Sequence, residues 1–254
     1  MDLSNFWKNL LFLGLLIQFS NGGLIGTNSL RNPNDFDLLV FTQHWPKTVC
    51  FEWREKSDKN KCTIPNDEEW TIHGIWPTQF HKIAPLFCNK TLHFDLAALA
   101  SIEDILEVKW VDIEHGLKPA SFWKHEWEKH GTCASVLECM STEKKYFQKG
   151  IDLLDEYDMK NVLGKASIYP GNQYPVEQIL DGIKKILDVN AQVMCVKHPK
   201  THVSYIFEIR ICFDKTLKLV DCDGIVGFPT DCSHSEDVIY PGTVPQEFSV
   251  VQIQ

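Results

Sequence analysis

The chain has 254 residues, of which 44% are hydrophobic and 23% charged, an ordinary globular composition that affords the core of one good-sized domain. Its formal net charge of -9 excludes the basic coat that gives tight, sequence-blind affinity for nucleic acid. Any chemistry on a polyanion must therefore come from a local site, and a secreted hydrolase of another kind fits the same balance.

At the amino end Lys8 precedes the apolar run LLFLGLLIQF from Leu10 to Phe19, with Ser20 and Gly22 as small residues before a cut near Gly22 or Gly23. This predicts a signal peptide over residues 1–23, because the run is half the length of about 20 residues that a membrane-spanning helix needs. No later stretch is long enough to span a bilayer. No repeat, biased tract or linker divides the rest, so a single domain over residues 30–254 is predicted.

Asp37–Phe41 and Trp70–Trp76 are short and rich in β-branched and aromatic residues, and read as strands. Helical periodicity follows over Ser101–Ile113 and again after Ser141, where Phe147, Ile151 and Leu154 share a face. Pro175 marks a further helix start, with Val176, Ile179, Leu180, Ile183 and Leu187 at helical spacing and Asn190 as a stop. Gln192–Val196, Val203–Cys212 and Leu217–Cys222 return to strand character. Strands that flank a helical middle without regular alternation predict an α+β fold.

An exported chain turns its nine cysteines, all beyond the leader, into a disulfide framework with one left over. None form a C-x-x-C pair, so a structural zinc site is disfavoured. Asn89-Lys90-Thr91 is a glycosylation sequon that the secretory route would make usable.

Two of the ten histidines stand in aromatic, polar-dense settings: His73 in WTIHGIWPT and His130 in FWKHEWEKHGTC. A helix continuing to Gly131 would put Glu126 and His130 on one face, with Phe122 and Trp123 a turn earlier, Lys129 beside them and His125 one step before Glu126. Such a face holds a base, a carboxylate and a cation, the parts that acid–base chemistry on a phosphate requires. A second histidine on a separate element is needed to protonate a leaving group, and His73 is the candidate. His125-Glu126 followed by His130 is similar to the zinc-protease pattern H-E-x-x-H, but Lys129 stands where the second ligand belongs. No metal and no cofactor are expected.

These two segments, with QHWP upstream and EKKYF downstream, resemble the active-site blocks of the ribonuclease T2 family, and looser similarity covers most of the chain beyond the leader. The resemblance implies an α+β fold in which an antiparallel sheet packs with several helices. It implies an endoribonuclease that cleaves single-stranded RNA by metal-independent transphosphorylation through 2′,3′-cyclic phosphates. By the same similarity His130 is the general base and His73 the general acid, Glu126 and Lys129 stabilise the phosphorane-like transition state, and His125 contacts phosphate. Trp76 and Phe122 stack bases of two nucleotide sites, which tolerates any base. Family members often carry an Asp where this chain has Thr78, so weak base discrimination is expected.

The resemblance further pairs Cys50 with Cys62, Cys88 with Cys133, Cys195 with Cys232 and Cys212 with Cys222. Cys139 is left free or joins two chains, a monomer being the expected state. The protein is placed outside the cell or in a lysosomal or other endomembrane lumen. A member that has lost activity and serves as a binding or signalling protein is the rival reading; His73, Glu126, Lys129 and His130 are all present.

Overall fold

Strand β1 (Leu38–His44) is buried at all seven positions, the signature of a strand with neighbours on both edges and cover on both faces. The computed structural model describes residues 35–246 apart from 66–67, 83 and 115–118, and the predicted leader lies outside them. Beyond β1 come β2 (Thr71–Thr78), β3 (Asn172–Tyr174), β4 (Gln192–Lys197), β5 (Ser204–Phe213), β6 (Leu219–Val220) and β7 (Val238–Tyr240). They form a single sheet in the order β2-β1-β5-β7-β3, with β4 and β6 also paired to β5. The pairs are antiparallel except β5 with β7, joined in parallel where Tyr205 faces Ile239. The expected antiparallel sheet is thus mixed at this point, within an α+β fold.

The helices are α1 (Pro46–Lys56), α2 (Glu103–Lys109), α3 (Pro119–Glu126), α4 (Thr132–Ala134), α5 (Glu143–Glu156), α6 (Met159–Lys165) and α7 (Val176–Leu187). α1 starts on Pro46, whose missing N–H would have no helical partner there. α5 is capped by the Thr142 side chain, which accepts from the Lys145 N–H, and it buries Tyr146, Phe147, Ile151 and Leu154. The helix expected over Ser101–Ile113 is shorter than its periodicity suggests. It stops at Lys109 because Trp110 leaves helical backbone to bury its ring completely. α7 ends before the expected Asn190, since Asp188 takes the left-handed conformation (φ 59°) and closes the last turn. The strand expected over Leu217–Cys222 shrinks to two residues beside a left-handed Leu217.

The core lies between the sheet and the helices and is dominated by Trp45, Trp70, Trp110, Trp123, Tyr146 and Phe147, all buried. Each polar handle among these rings that bears on the site finds a partner, as buried Trp and Tyr require. Trp110 donates to the His73 carbonyl (3.0 Å), Trp123 to the Trp110 carbonyl (2.8 Å), and the Tyr146 hydroxyl to the Ile75 carbonyl (3.0 Å). Two buried rings, Trp110 and Tyr146, thereby tie β2 to the helical layer, and Trp123 ties α3 to Trp110. Disulfides join Cys50 to Cys62, Cys88 to Cys133, Cys195 to Cys232 and Cys212 to Cys222, and Cys139 is half-buried and unbridged. Among the described residues no helix is long and apolar enough to cross a membrane.

Candidate active site

Residues three apart on a regular strand point to opposite faces, yet the rings of His73 and Trp76 meet at 4.9 Å. The cause is a bulge. Thr42 of β1 pairs with Gly74 and Gln43 with Ile72, so His73 is an extra residue without a partner across the ladder. A bulge shifts the alternation by one residue and turns His73 to the face that carries Trp76.

The second segment departs from the expected helix as well. α3 ends at Glu126, and Trp127–Gly131 form a π turn in which the Thr132 N–H reaches the Trp127 carbonyl five residues back. Such turns occur mostly as single insertions, often at functional sites, and re-aim the side chains they carry. Here the turn holds Lys129 and His130. Two ties pin it: the Phe87 N–H donates to the Lys129 carbonyl (2.9 Å), and the Cys88–Cys133 disulfide closes the loop just beyond.

The two segments meet at Trp76. Its indole N–H donates to the Glu126 carboxylate (2.9 Å), and its ring lies 5.4 Å from that of His130. His73 also approaches Phe122 at 5.8 Å. His125 and Lys129 sit together at the rim, Nε2 to Nζ 3.4 Å. Thr78 stands apart at the end of β2, its hydroxyl donating to the Trp76 carbonyl (3.0 Å). A cleft of about 420 Å³ opens beside the histidines, with His44, His73, Asp112, Phe122, His125 and Phe207 among its walls. Asn89 lies well exposed in a turn, its side chain held by Thr91.

Burial and charge drive the titrating groups apart. His130 is pushed down to about 2 by burial, reinforced by Lys129, His73 and His125, and its Nδ1 has no hydrogen-bond partner among the described residues. Burial alone would lower His73 too, but the Glu208 carboxylate and its hydrogen bond, with Glu126 behind, raise it above the ordinary histidine value. Burial lifts Glu126 to about 7 against the pull of His73, Trp76 and Lys129. His125 is lowered by partial burial and by Lys129. In the acid range the residues gathered around Trp76 therefore comprise a neutral imidazole, a charged imidazole, a protonated carboxyl and a nearby lysine, a set suited to moving protons at an anion, and of these His73 lines the cleft.

Three further groups border this site, none of them assigned a role from the sequence. Buried Glu208 and half-buried Arg210 of β5 form an ion pair behind His73, and the guanidinium lies 5.3 Å from the centre of the Trp76 ring. Their signal was a Glu and an Arg, two apart, in the otherwise apolar strand SYIFEIRICF. His44, part of the QHWP motif, is buried with its ring 5.3 Å from His73 and is pushed down to about 3 by burial and by His73. Among the described residues no cluster of His, Cys, Asp and Glu could hold a metal ion.

The fold and the site define a disulfide-stapled α+β protein in which two histidines from separate elements flank one indole. Residues 36–222 match the sequence model of the Ribonuclease T2 family. Ribonuclease T2-A of Mus musculus is 34% identical over 85% of this chain and 79% of its own length, and Ribonuclease Oy of Magallana gigas 33% over 82% and 97%. The crystal structure of human RNase T2 superposes with a TM-score of 0.66 at 32% identity, covering 81% of this chain and 98% of that one. Ribonuclease MC1 from bitter gourd seeds superposes at 0.68 with 26% identity, over 81% and 100%. The chain belongs to the ribonuclease T2 family and is an endoribonuclease of the T2 type.

Proposed function

We propose that the chain cleaves single-stranded RNA by transphosphorylation, with His130 as general base, His73 as general acid and no metal. The observation that carries this reading is the pair of histidine rings on one indole, His73 at 4.9 Å and His130 at 5.4 Å from Trp76, with opposite preferences for charge. RNA brings its own nucleophile, so the protein has two protons to move and a charged phosphorus centre to stabilise. Neutral His130 takes the 2′-hydroxyl proton as that oxygen bonds to phosphorus. Charged His73 delivers a proton to the departing 5′-oxygen, leaving a 2′,3′-cyclic phosphate that water opens with the roles reversed. An anionic phosphate offsets the positive charge of Lys129 and His73 that depresses His130 and so strengthens the base when it is needed. Lys129 and Glu126, the latter neutral below about 7, stabilise the extra charge on the phosphoryl oxygens, and His125 contacts phosphate.

Trp76 and Phe122 stack the flanking bases, and with Thr78 in place of a carboxylate, discrimination among bases is weak. The protein works as a monomer. The reading includes export through the signal peptide at residues 1–23, a single catalytic domain over 30–254, glycosylation at the exposed Asn89, and a destination outside the cell or in a lysosomal or endomembrane lumen. The test is ³¹P NMR of RNA homopolymer digests with and without a strong chelator. Cyclic phosphate should accumulate first in both, while DNA stays intact for want of a 2′-hydroxyl; activity lost to the chelator and restored by zinc or magnesium would refute it.

A further inference from the structure

We infer that Glu208 is a positioning residue for His73, holding the ring by Nδ1 and leaving Nε2 as the nitrogen that delivers the proton. The inference rests on His73 being the general acid. Glu208 is 1% exposed, and its two carboxylate oxygens are divided between two partners. Oε1 meets His73 Nδ1 at 2.5 Å, while Oε2 accepts from Arg210 through Nε (3.0 Å) and Nη2 (2.6 Å). Arg210 is itself fixed, since its Nη1 donates to Gln192 Oε1 (3.1 Å) and the Gln192 amide donates to the Val226 carbonyl (3.0 Å).

A carboxylate so held cannot turn away from the imidazole. Its lone pair fixes the tautomer in which Nδ1 carries the hydrogen. Strand geometry supports the arrangement: Glu208 and Arg210 alternate on one face of β5, opposite His44 and Thr42 of β1. The bulge at His73 in turn sets the imidazole against Glu208.

The charged and titrating groups around His73 are Glu208 and Arg210 from β5, His44 from β1, Glu126 and His125 from α3, and His130 from the π turn. Burial and Arg210 favour the neutral ring. Glu208 opposes them by contact, and Glu126 by charge alone. A purely structural Glu208 would do no more than neutralise Arg210, and the two roles separate on substitution.

The variants are Glu208→Gln, which keeps an acceptor but removes the charge, Glu208→Ala, which removes both, and Glu208→Gln with Arg210→Gln, which keeps the charge balance where a single change fails to fold. The readouts are kcat and KM on a dinucleoside phosphate across pH, and the His73 ring titration by NMR. Glu208→Ala should lower kcat about 10- to 100-fold with KM nearly unchanged, a part of the full contribution of acid–base help. Glu208→Gln and the double variant should keep most of the plateau kcat, while the alkaline limb and the His73 titration move together to lower pH. Folded variants that lose stability but leave the alkaline limb, kcat and the His73 titration unmoved would overturn the inference. His73→Ala measured alongside separates the two readings: if it is inactive while Glu208→Ala is normal, only the positioning role falls, and if His73→Ala is active, the assignment of the acid falls.

Discussion

Gly74 and Glu126 approach so closely that a Cβ on the glycine would lie 2.1 Å from a Glu126 carboxylate oxygen and 2.2 Å from Trp76 Nε1. The hydrogen bond joining the two active-site segments runs through space that only a glycine leaves open. Gly74→Ala should therefore break the contact between Trp76 and Glu126, cost about 1–3 kcal/mol as an overpacked site does, and reduce turnover. Gly164 of α6 is the control, for its nearest neighbour to a new Cβ is 3.8 Å away. Gly164→Ala should be neutral or stabilise by about 0.4–1 kcal/mol with activity intact. Thermal melts and initial rates on both variants check the pair; equal behaviour would contradict the close approach.

His73→Ala and His130→Ala should each lower kcat about 100- to 10,000-fold, the range for a lost acid or base. Glu126→Ala should cost less than either, because it moves no proton in the proposed scheme. Steady-state kinetics on a dinucleoside phosphate decides. A His130→Ala enzyme with near-normal turnover would show the roles to be misassigned.

Activity should follow a bell with its optimum at or below the free histidine value of about 6.5. His130 must be neutral, and its lowered value keeps it so deep into the acid range. His73 must be charged, and its raised value carries the alkaline fall to above the ordinary histidine position. An optimum well into the alkaline range in a kcat/KM profile would contradict both assignments.

Glu126 links pH to stability. Its value rises from 4.5 to about 7 on folding, so the native state holds a proton that the unfolded chain has released. The protein consequently loses stability as pH rises through that window, in the sense opposite to a salt-bridged carboxylate. Glu126→Gln retains an acceptor for the Trp76 N–H and carries no charge, so it should flatten this loss. Urea denaturation at both ends of the window tests it, and an unchanged difference between the two pH values would rule the linkage out.

The Thr78 hydroxyl, which rests on the Trp76 carbonyl (3.0 Å), can donate as well as accept and carries no charge, whereas an ionised carboxylate only accepts. All four homopolymers should be cleaved with no pronounced adenine preference, and Thr78→Asp should raise relative rates on adenine substrates. If dinucleoside kinetics leave those rates unchanged, Thr78 does not read the base.

The local patterns in the chain were enough to determine the class of fold and the candidate residues. Alternating β-branched and aromatic residues mark Thr71–Thr78, a 3.6-residue period marks Val176–Leu187, and His73 and His130 stand out by the residues around them. These are properties of neighbours along the chain. Four features arise only when distant segments meet. The bulge that turns His73 is a mismatch between two strands, invisible in either alone. The π turn at Trp127–Gly131 replaces the helix that the spacing of Glu126 and His130 suggested, pinned by a disulfide and a backbone bond from the loop around Phe87. α2 ends early because Trp110 is drawn into a core assembled from other elements. Glu208 acquires a partner 135 residues away, since strand pairing brings β5 beside β1 and β1 beside β2, and against the pull of burial its carboxylate favours the charged form of His73.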